Sequence, residues 1–355
     1  MNIFNPEHDL CLANGDPNFV PPESALKFGR DCAGLTSLIE TGEGIIPWGW
    51  DAVLKRRLLR EGIPETMLPD DAALARIREL SNRKNAVAAD SFIRRHLQEI
   101  LSGRSFGGRP YTDFLTGNAP VIAESVPEVV SYVGKYGDAV AKAPWSGSGK
   151  GLRWLRAGEL SDNDLGWCRN VIAKQGAVEV ECREKVVRDF AMLFHISHGE
   201  VRFEGFSMFF NENGMYRGNV LASDGWILGK LSGYVPEAIV LAVKDILTEY
   251  FLEEFAGSYE GYAGVDMFMC RVAEGRFRLS PCVEINVRMT MGLLARRLHD
   301  RYPCEDGMTV MRVEYSPVAE GLAALLKDAL QVLTAPGPDA NYALAIFRNN
   351  DSLII

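Results

Sequence analysis

The sequence predicts a mixed protein, α/β and α+β in character and built from two or three domains. Three observations carry this expectation. The chain has 355 residues, more than one domain usually holds, and 47% hydrophobic against 24% charged residues is enough for a sizeable core. Period-two apolar runs and helical 3.6-residue patterns alternate along its length. Turn-forming clusters such as Pro21-Pro22, Asn211-Glu-Asn-Gly214, Glu274-Gly275 and Pro336-Gly-Pro338 separate them. This composition excludes disorder, collagen and coiled coil.

Taken in order, Ile3-Phe4 is a short apolar start that runs into the polar loop Asn5-Pro-Glu-His-Asp9. Helical patterns follow at about 51–61 and 70–80, and a capped helix spans about 81–100. The Gly- and Arg-rich stretch 103–109 predicts an exposed loop. Residues 119–156 read as short helix, strand, glycine loop and strand, and 177–227 as short strands separated by turns. Pro236 opens an amphipathic helix to about Phe255, with Ile239, Ala242, Val243, Ile246 and Leu247 on its apolar side. A long hairpin spans about 262–287 and turns at Glu274-Gly275. A helix at 317–333 and a strand at 342–348 complete the chain. There is no internal repeat.

Net charge is −9, from 38 basic and 47 acidic residues, so no general cationic field exists to attract nucleic acid or a membrane surface. The seven cysteines are odd in number and widely spaced, with no C-x-x-C pair, which speaks against a disulfide framework or structural zinc. The N-terminus has neither the basic nor the apolar region of a secretory signal, and no stretch approaches 18 apolar residues. The expected location is cytoplasmic. His96, His195, His198 and His299 lack partners at catalytic spacing.

Three segments carry chemistry. The first is Val140-Ala-Lys142-Ala-Pro-Trp-Ser146-Gly147-Ser148-Gly149-Lys150-Gly151. A strand delivers Lys142, and the backbone N–H groups of the following loop can close around phosphate oxygens, since glycine puts no Cβ in the way. It is not a Walker A loop, because Pro144 stands where that template needs Gly and Gly151 where it needs Ser or Thr.

The second pairs Gly261-Tyr-Ala-Gly-Val-Asp266-Met with Val283-Glu284-Ile-Asn286-Val-Arg288. Glu284, Asn286 and Arg288 alternate at period two and project from one strand face. A carboxylate, an amide oxygen and a guanidinium there suit magnesium beside a phosphate. With a three-residue loop Val272 opposes Arg276, Gly264 opposes Glu284 and Asp266 opposes Cys282. Asp266 and Glu284 are then diagonal neighbours on one face. A two-residue loop would set them on opposite faces, and a bulge at Pro281 could reset the register. The third segment is Ala177-Val-Glu179-Val-Glu181-Cys182-Arg-Glu184-Lys-Val-Val-Arg-Asp189, two β-like runs flanking a polar connection.

Together with Ser81-Asn-Arg83-Lys84, these segments in this order resemble the ATP-grasp superfamily over residues 81–292. The resemblance implies two α+β subdomains sandwiching ATP, at 81–176 with the phosphate loop and at 177–355 with the hinge, metal strand and C-terminal helix. A small α/β domain at 1–80 would precede them. It implies that Lys142 contacts the nucleotide phosphates under the Ser146–Gly151 loop, and that Glu179, Glu181 and Cys182 form the hinge, with the last two holding adenine through their backbone. Asp189 or Glu184 would hold the ribose, and Lys84 or Arg83 would match the family's first phosphate-binding lysine. Asp266, Glu284 and Asn286 match the ligands of magnesium or manganese, and Arg288 matches an arginine that stabilises the transferring phosphate.

The implied activity is that of an Mg-ATP-dependent ligase. A carboxylate is phosphorylated, and an amine or thiol attacks the acyl phosphate, most simply forming a carbon–nitrogen bond. A kinase-type phosphotransferase and a non-catalytic ATP-binding module are the alternatives. The partners are ATP, a small carboxylate and its acceptor, without nucleic acid or membrane, and a homodimer is compatible with this. The Asn5–Asp9 loop is a candidate for the acceptor.

Overall fold

A computed structural model describes residues 1–146, 151–212, 215–272, 275–302 and 305–349. The N-terminal strand β1 (Asn2–Ile3) pairs in parallel with β2 (Ile46–Pro47), and the helices α1 (His8–Asn14), α2 (Glu23–Asp31) and α3 (Leu35–Ile39) lie between them. The predicted helices follow as α4 (Ala52–Arg60), α5 (Asp71–Leu80) and α6 (Arg83–Leu101). Each starts where an Asx side chain accepts an otherwise orphan backbone N–H: Asp51 from Leu54, Asp70 from Ala73, Asn82 from Lys84.

The stretch 103–109 is not an open loop. It forms a small hairpin of β3 (Ser105–Phe106) and β4 (Arg109–Pro110). Gly107 and Gly108, at φ of 59° and 80°, supply the two positive torsions that such a tight turn needs.

A four-stranded sheet follows, made of β5 (Val121–Ala123), β6 (Ala139–Lys142), β7 (Leu152–Leu155) and β8 (Val178–Cys182) in the order β5-β8-β6-β7. Helices α7 (Val126–Tyr136) and α8 (Asp162–Gln175) cover it, burying Val129, Val133, Ala139, Leu155 and Val178.

The rest of the chain builds an antiparallel sheet of eight strands. These are β9 (Val186–Ser197), β10 (Glu200–Glu212) and β11 (Met215–Leu221), then β12 (Gly261–Arg271) and β13 (Phe277–Asn286) after helices α9 (Asp224–Ser232) and α10 (Glu237–Glu254). Helix α11 (Met291–Arg301) leads to β14 (Thr309–Tyr315), α12 (Ala319–Leu325), β15 (Gln331–Val332) and β16 (Tyr342–Arg348). The strand order is β13-β12-β9-β10-β11-β14-β16-β15.

Alternation divides the sheet's two faces. Phe190, Met192, Phe194, Val265 and Met267 pack with α6 and α10 in one core. Ala191 and Leu193 pack on the other side with Leu293 and Leu294 of α11 and with Phe4, Leu35 and Trp48. The N-terminal segment is therefore anchored on the same sheet that carries the candidate metal strand.

The helix expected over 317–333 stops at Leu325. Backbone pairing wins beyond it: Leu330 N–H donates to Ile346 O at 2.7 Å, and Gln331–Val332 joins β16 as the sheet's last strand. Among the described residues no helix is long and apolar enough to cross a membrane.

Candidate active site

The geometry of the candidate metal strand depends on a slip in the β12–β13 ladder. Near the turn the pairing is the predicted one, with Val272 N–H donating to Arg276 O at 2.7 Å and Arg271 opposite Phe277. It continues to Phe268 opposite Ser280, but the next pair is Asp266 opposite Glu284. One residue on β12 thus faces three on β13, Pro281 to Val283, and proline's missing N–H suits it to such a break. The bulge corrects the predicted register: Asp266 faces Glu284 rather than Cys282, and Gly264 faces Asn286. Asn286 Nδ2 donates to Asp266 Oδ2 at 3.0 Å, and Arg288 Nη2 donates to Asn286 Oδ1 at 2.8 Å. Burial, and then the Glu284 charge, push the Asp266 carboxyl up to about 7.

Lys142 ends β6 directly opposite Glu179 of β8, and Glu181 lies two residues on, along the same face. The buried ammonium lies 3.2 Å from Glu179 Oε1 and 2.7 Å from Glu181 Oε1. Burial works against its charge, but the two carboxylates prevail and hold its pKa above the ordinary value. Glu179 Oε2 is buried without a hydrogen-bond partner among the described residues, although Arg83 Nη1 stands 3.9 Å away. Burial raises the Glu179 carboxyl to about 7 against the pull of Lys142.

Arg83 joins the two groups. Its Nη2 donates to Glu284 Oε1 at 2.8 Å and its Nε to Ala143 O at 3.1 Å, while its backbone N–H donates to Pro144 O at 3.0 Å. Lys84, the other candidate at this position, points out of the site. It is half exposed and paired with Glu79 at 3.4 Å. Consecutive residues in the first turn of a helix point about 100° apart, so only one of the two can face the cleft.

The base of the candidate phosphate loop is closed by Ala143 N–H donating to Gly151 O at 2.8 Å. Trp145 is fixed by its indole N–H on Arg78 O at 2.7 Å, under an Arg78 guanidinium stacked 4.0 Å from its ring. Gly147, Ser148, Gly149 and Lys150 lie outside the described residues. Ser146 lines a cleft with Pro144, Trp145, Glu284, Asn286, Ser81 and Asp9.

At the candidate hinge, β8 pairs with β5 only as far as Val180, leaving one backbone edge of Glu181–Cys182 beyond that ladder. The Cys182 thiol turns to Asn118 Nδ2 at 3.3 Å and the Tyr132 hydroxyl at 3.5 Å. Of the two candidate ribose acids, Asp189 is among the charges that raise Asp266, and its own carboxyl is pushed up by burial to about 6. Glu184 instead sits beside Cys270, with its carboxyl raised by burial.

The sequence places Asp9 in a candidate acceptor loop, but does not show its pairing with Arg288. The two Asp9 oxygens receive Arg288 Nε at 2.8 Å and Nη2 at 2.7 Å. Burial alone would raise this carboxyl, but Arg288 keeps it below the usual range. The loop before it does not offer its side chains to the cleft. Asn5 and His8 are buried, with Asn5 Nδ2 donating to Gly49 O at 2.8 Å and His8 Nδ1 lying 3.4 Å from Asp51 Oδ2. No sequence signal links positions 9 and 288.

The site therefore sets the cations Arg83, Lys142 and Arg288 against the carboxylates of Asp9, Glu179, Glu181, Asp266 and Glu284. No family model matches the chain, and no curated protein matches it in sequence. Among solved structures it is similar to N5-carboxyaminoimidazole synthetase from Staphylococcus aureus complexed with ADP. That likeness has a TM-score of 0.50 at 11% identity and covers 99% of this chain and 93% of that one. An ADP complex of N5-carboxyaminoimidazole ribonucleotide synthetase gives a TM-score of 0.48 at 13% identity, covering 99% and 91%. The biotin carboxylase domain of Hydrogenobacter thermophilus 2-oxoglutarate carboxylase gives 0.48 at 11% identity, covering 87% and 70%. The chain has the ATP-grasp fold.

Proposed function

We propose that this protein is an Mg-ATP-dependent ligase that activates a carboxylate as an acyl phosphate for attack by an amine or thiol. The observation that carries this reading is the facing pair Asp266 and Glu284, with Asn286 beside them, Arg83 bonded to Glu284, and Ser146 lining the same cleft as Glu284 and Asn286. ATP lies between the four-stranded and eight-stranded sheets in this reading, its adenine at the free edge of Glu181–Cys182.

The donor set suits magnesium. Among the described residues no group of three or more His, Cys, Asp or Glu side chains is placed to hold a metal ion by itself. Two carboxylates and an amide oxygen are what magnesium commonly takes from protein when phosphates and water complete its shell. Bound there, the ion would neutralise phosphate oxygens. Asp266, Glu284 and Asn286 would hold it, and the raised Asp266 carboxyl marks a place where a cation relieves crowded negative charge.

The remaining work is positioning and charge stabilisation, with little covalent chemistry for side chains. Lys142, kept charged by Glu179 and Glu181, and Arg83 would bind the phosphate chain. Arg83 replaces Lys84 in this role because it reaches Glu284, whereas Lys84 pairs with Glu79. Arg288 would stabilise the charge that develops on the transferring phosphoryl group. The six described cysteines are free, which supports a reducing, cytoplasmic setting.

The test is a screen of amino acids and small carboxylates, alone and with amines or thiols, for acceptor-dependent release of ADP and phosphate from MgATP. ADP without free phosphate would identify a phosphotransferase. The absence of both turnover and nucleotide binding would overturn the reading.

A further inference from the structure

We propose that Asp9 is a positioning residue for Arg288, and that the segment Trp48–Asp51 sets the two against each other. The inference rests on the role of Arg288 given above.

The guanidinium of Arg288 is almost fully committed. Its Nε and one Nη2 hydrogen go to the two Asp9 oxygens, the other Nη2 hydrogen goes to Asn286 Oδ1, and one Nη1 hydrogen goes to Met289 O at 3.1 Å. The fifth hydrogen, on Nη1, has no partner among the described residues. A bidentate pair fixes the plane of the fork as well as its position, so this arrangement aims one N–H and the positive charge in one direction.

Both partners are fastened to the same short segment. On one side, Met289 N–H, next to Arg288, donates to Trp48 O at 2.9 Å. On the other, Asn5 holds Gly49 O at 2.8 Å, and His8, adjacent to Asp9, lies 3.4 Å from Asp51. Arg78 Nε also grips the end of the same helix through Leu12 O at 2.7 Å. A Cβ on Gly49 would come within 2.8 Å of the His8 ring, so the close approach of frame and helix needs glycine at that point. Anchoring from behind on both sides distinguishes a fixed brace from a latch that substrate pushes open. Separating Asp9 from Arg288 would require breaking ties that lie outside the cleft.

The experiment uses Asp9→Asn, Asp9→Glu, Arg288→Ala and the double variant Asp9→Asn/Arg288→Ala of the full chain. One readout is ADP release from MgATP, and the other is the Arg288 Nε–H resonance in an amide-type NMR spectrum. Asp9→Asn is expected to broaden or lose that resonance and to lower kcat at least 10-fold, with KM for ATP within about twofold. Asp9→Glu should recover part of the rate, and the double variant should be no slower than Arg288→Ala alone. An unchanged Nε–H resonance in Asp9→Asn would overturn the brace, even if turnover is too slow to measure. So would losses in the double variant that multiply. Full turnover by Arg288→Ala would instead overturn the role of Arg288 itself, and this inference with it. If Arg288→Ala is impaired while Asp9→Asn is not, the inference alone is lost.

Discussion

Asp266 sits directly opposite Glu284 because the β13 strand spends two extra residues around Pro281. Without that slip Glu284 would face Gly264, and the two carboxylates would meet only diagonally. Two acids set face to face, one of them raised to about 7, form a pair whose best partner is a cation.

Glu284→Gln tests this pair. It keeps shape and removes one charge, so turnover should fall on the order of 10²-fold or more, about 2.7 kcal/mol of transition-state stabilisation. The melting temperature should move far less than turnover, because glutamine can still accept from Arg83 and its neutrality relieves the charge facing Asp266. Magnesium titrations of ADP release, with thermal melts alongside, check both outcomes.

Arg83→Gln and Lys84→Gln should behave oppositely. Arg83 is buried between Glu284 and Glu179, and its loss strands carboxylates that it now neutralises. Destabilisation of about 3 kcal/mol and at least a 10-fold loss of nucleotide affinity are expected. Lys84→Gln removes an exposed partner of Glu79 and should stay within about 0.5 kcal/mol, with affinity unchanged. Denaturant melts and calorimetry with a non-hydrolysable ATP analogue separate the two.

Lys142→Met should cost about 3 kcal/mol or more, since Glu179 and Glu181 would be left without their buried cation. Adding Glu179→Gln to that variant should restore part of the loss, because the uncompensated charge goes with it. Additive losses in denaturant unfolding would contradict the coupling.

Glu179 also sets a pH dependence. Its folded pKa, about 7, lies above the unfolded carboxyl value, so the folded state holds the proton more tightly. The stability it contributes is therefore present at low pH and is lost as pH rises through about 7. In metal-free protein, melts between pH 5 and about 8 should show this decline, and Glu179→Gln should remove its share, leaving that of Asp266 and Asp189, whose carboxyls are also raised by burial.

Much of this site is legible in the chain, since it rests on local pattern. Period-two spacing at Glu284, Asn286 and Arg288 puts three polar groups on one strand face whatever surrounds them. The strand carrying Lys142, the Val-Glu-Val-Glu run and the helix cap at Asn82 are equally local. The choice between Arg83 and Lys84 was not, because both orientations suit a helix start and only the packing of α6 on β13 selects one. The helix expected over 317–333 shows the same limit, since the sheet edge at β16 took residues 331–332 from a sequence whose periodicity suits either form.

By itself, then, the sequence determined the alternation of elements, the two polar strand faces and the residues proposed to meet phosphate and metal. These follow from backbone periods of 2 and 3.6 that act over a few residues. Only the tertiary structure decided the bulge that brings Asp266 to Glu284, the burial that raises Asp266 and Glu179, and the meeting of Asp9 with Arg288. These depend on contacts between distant segments, and neither register nor desolvation exists until the chain has closed on itself.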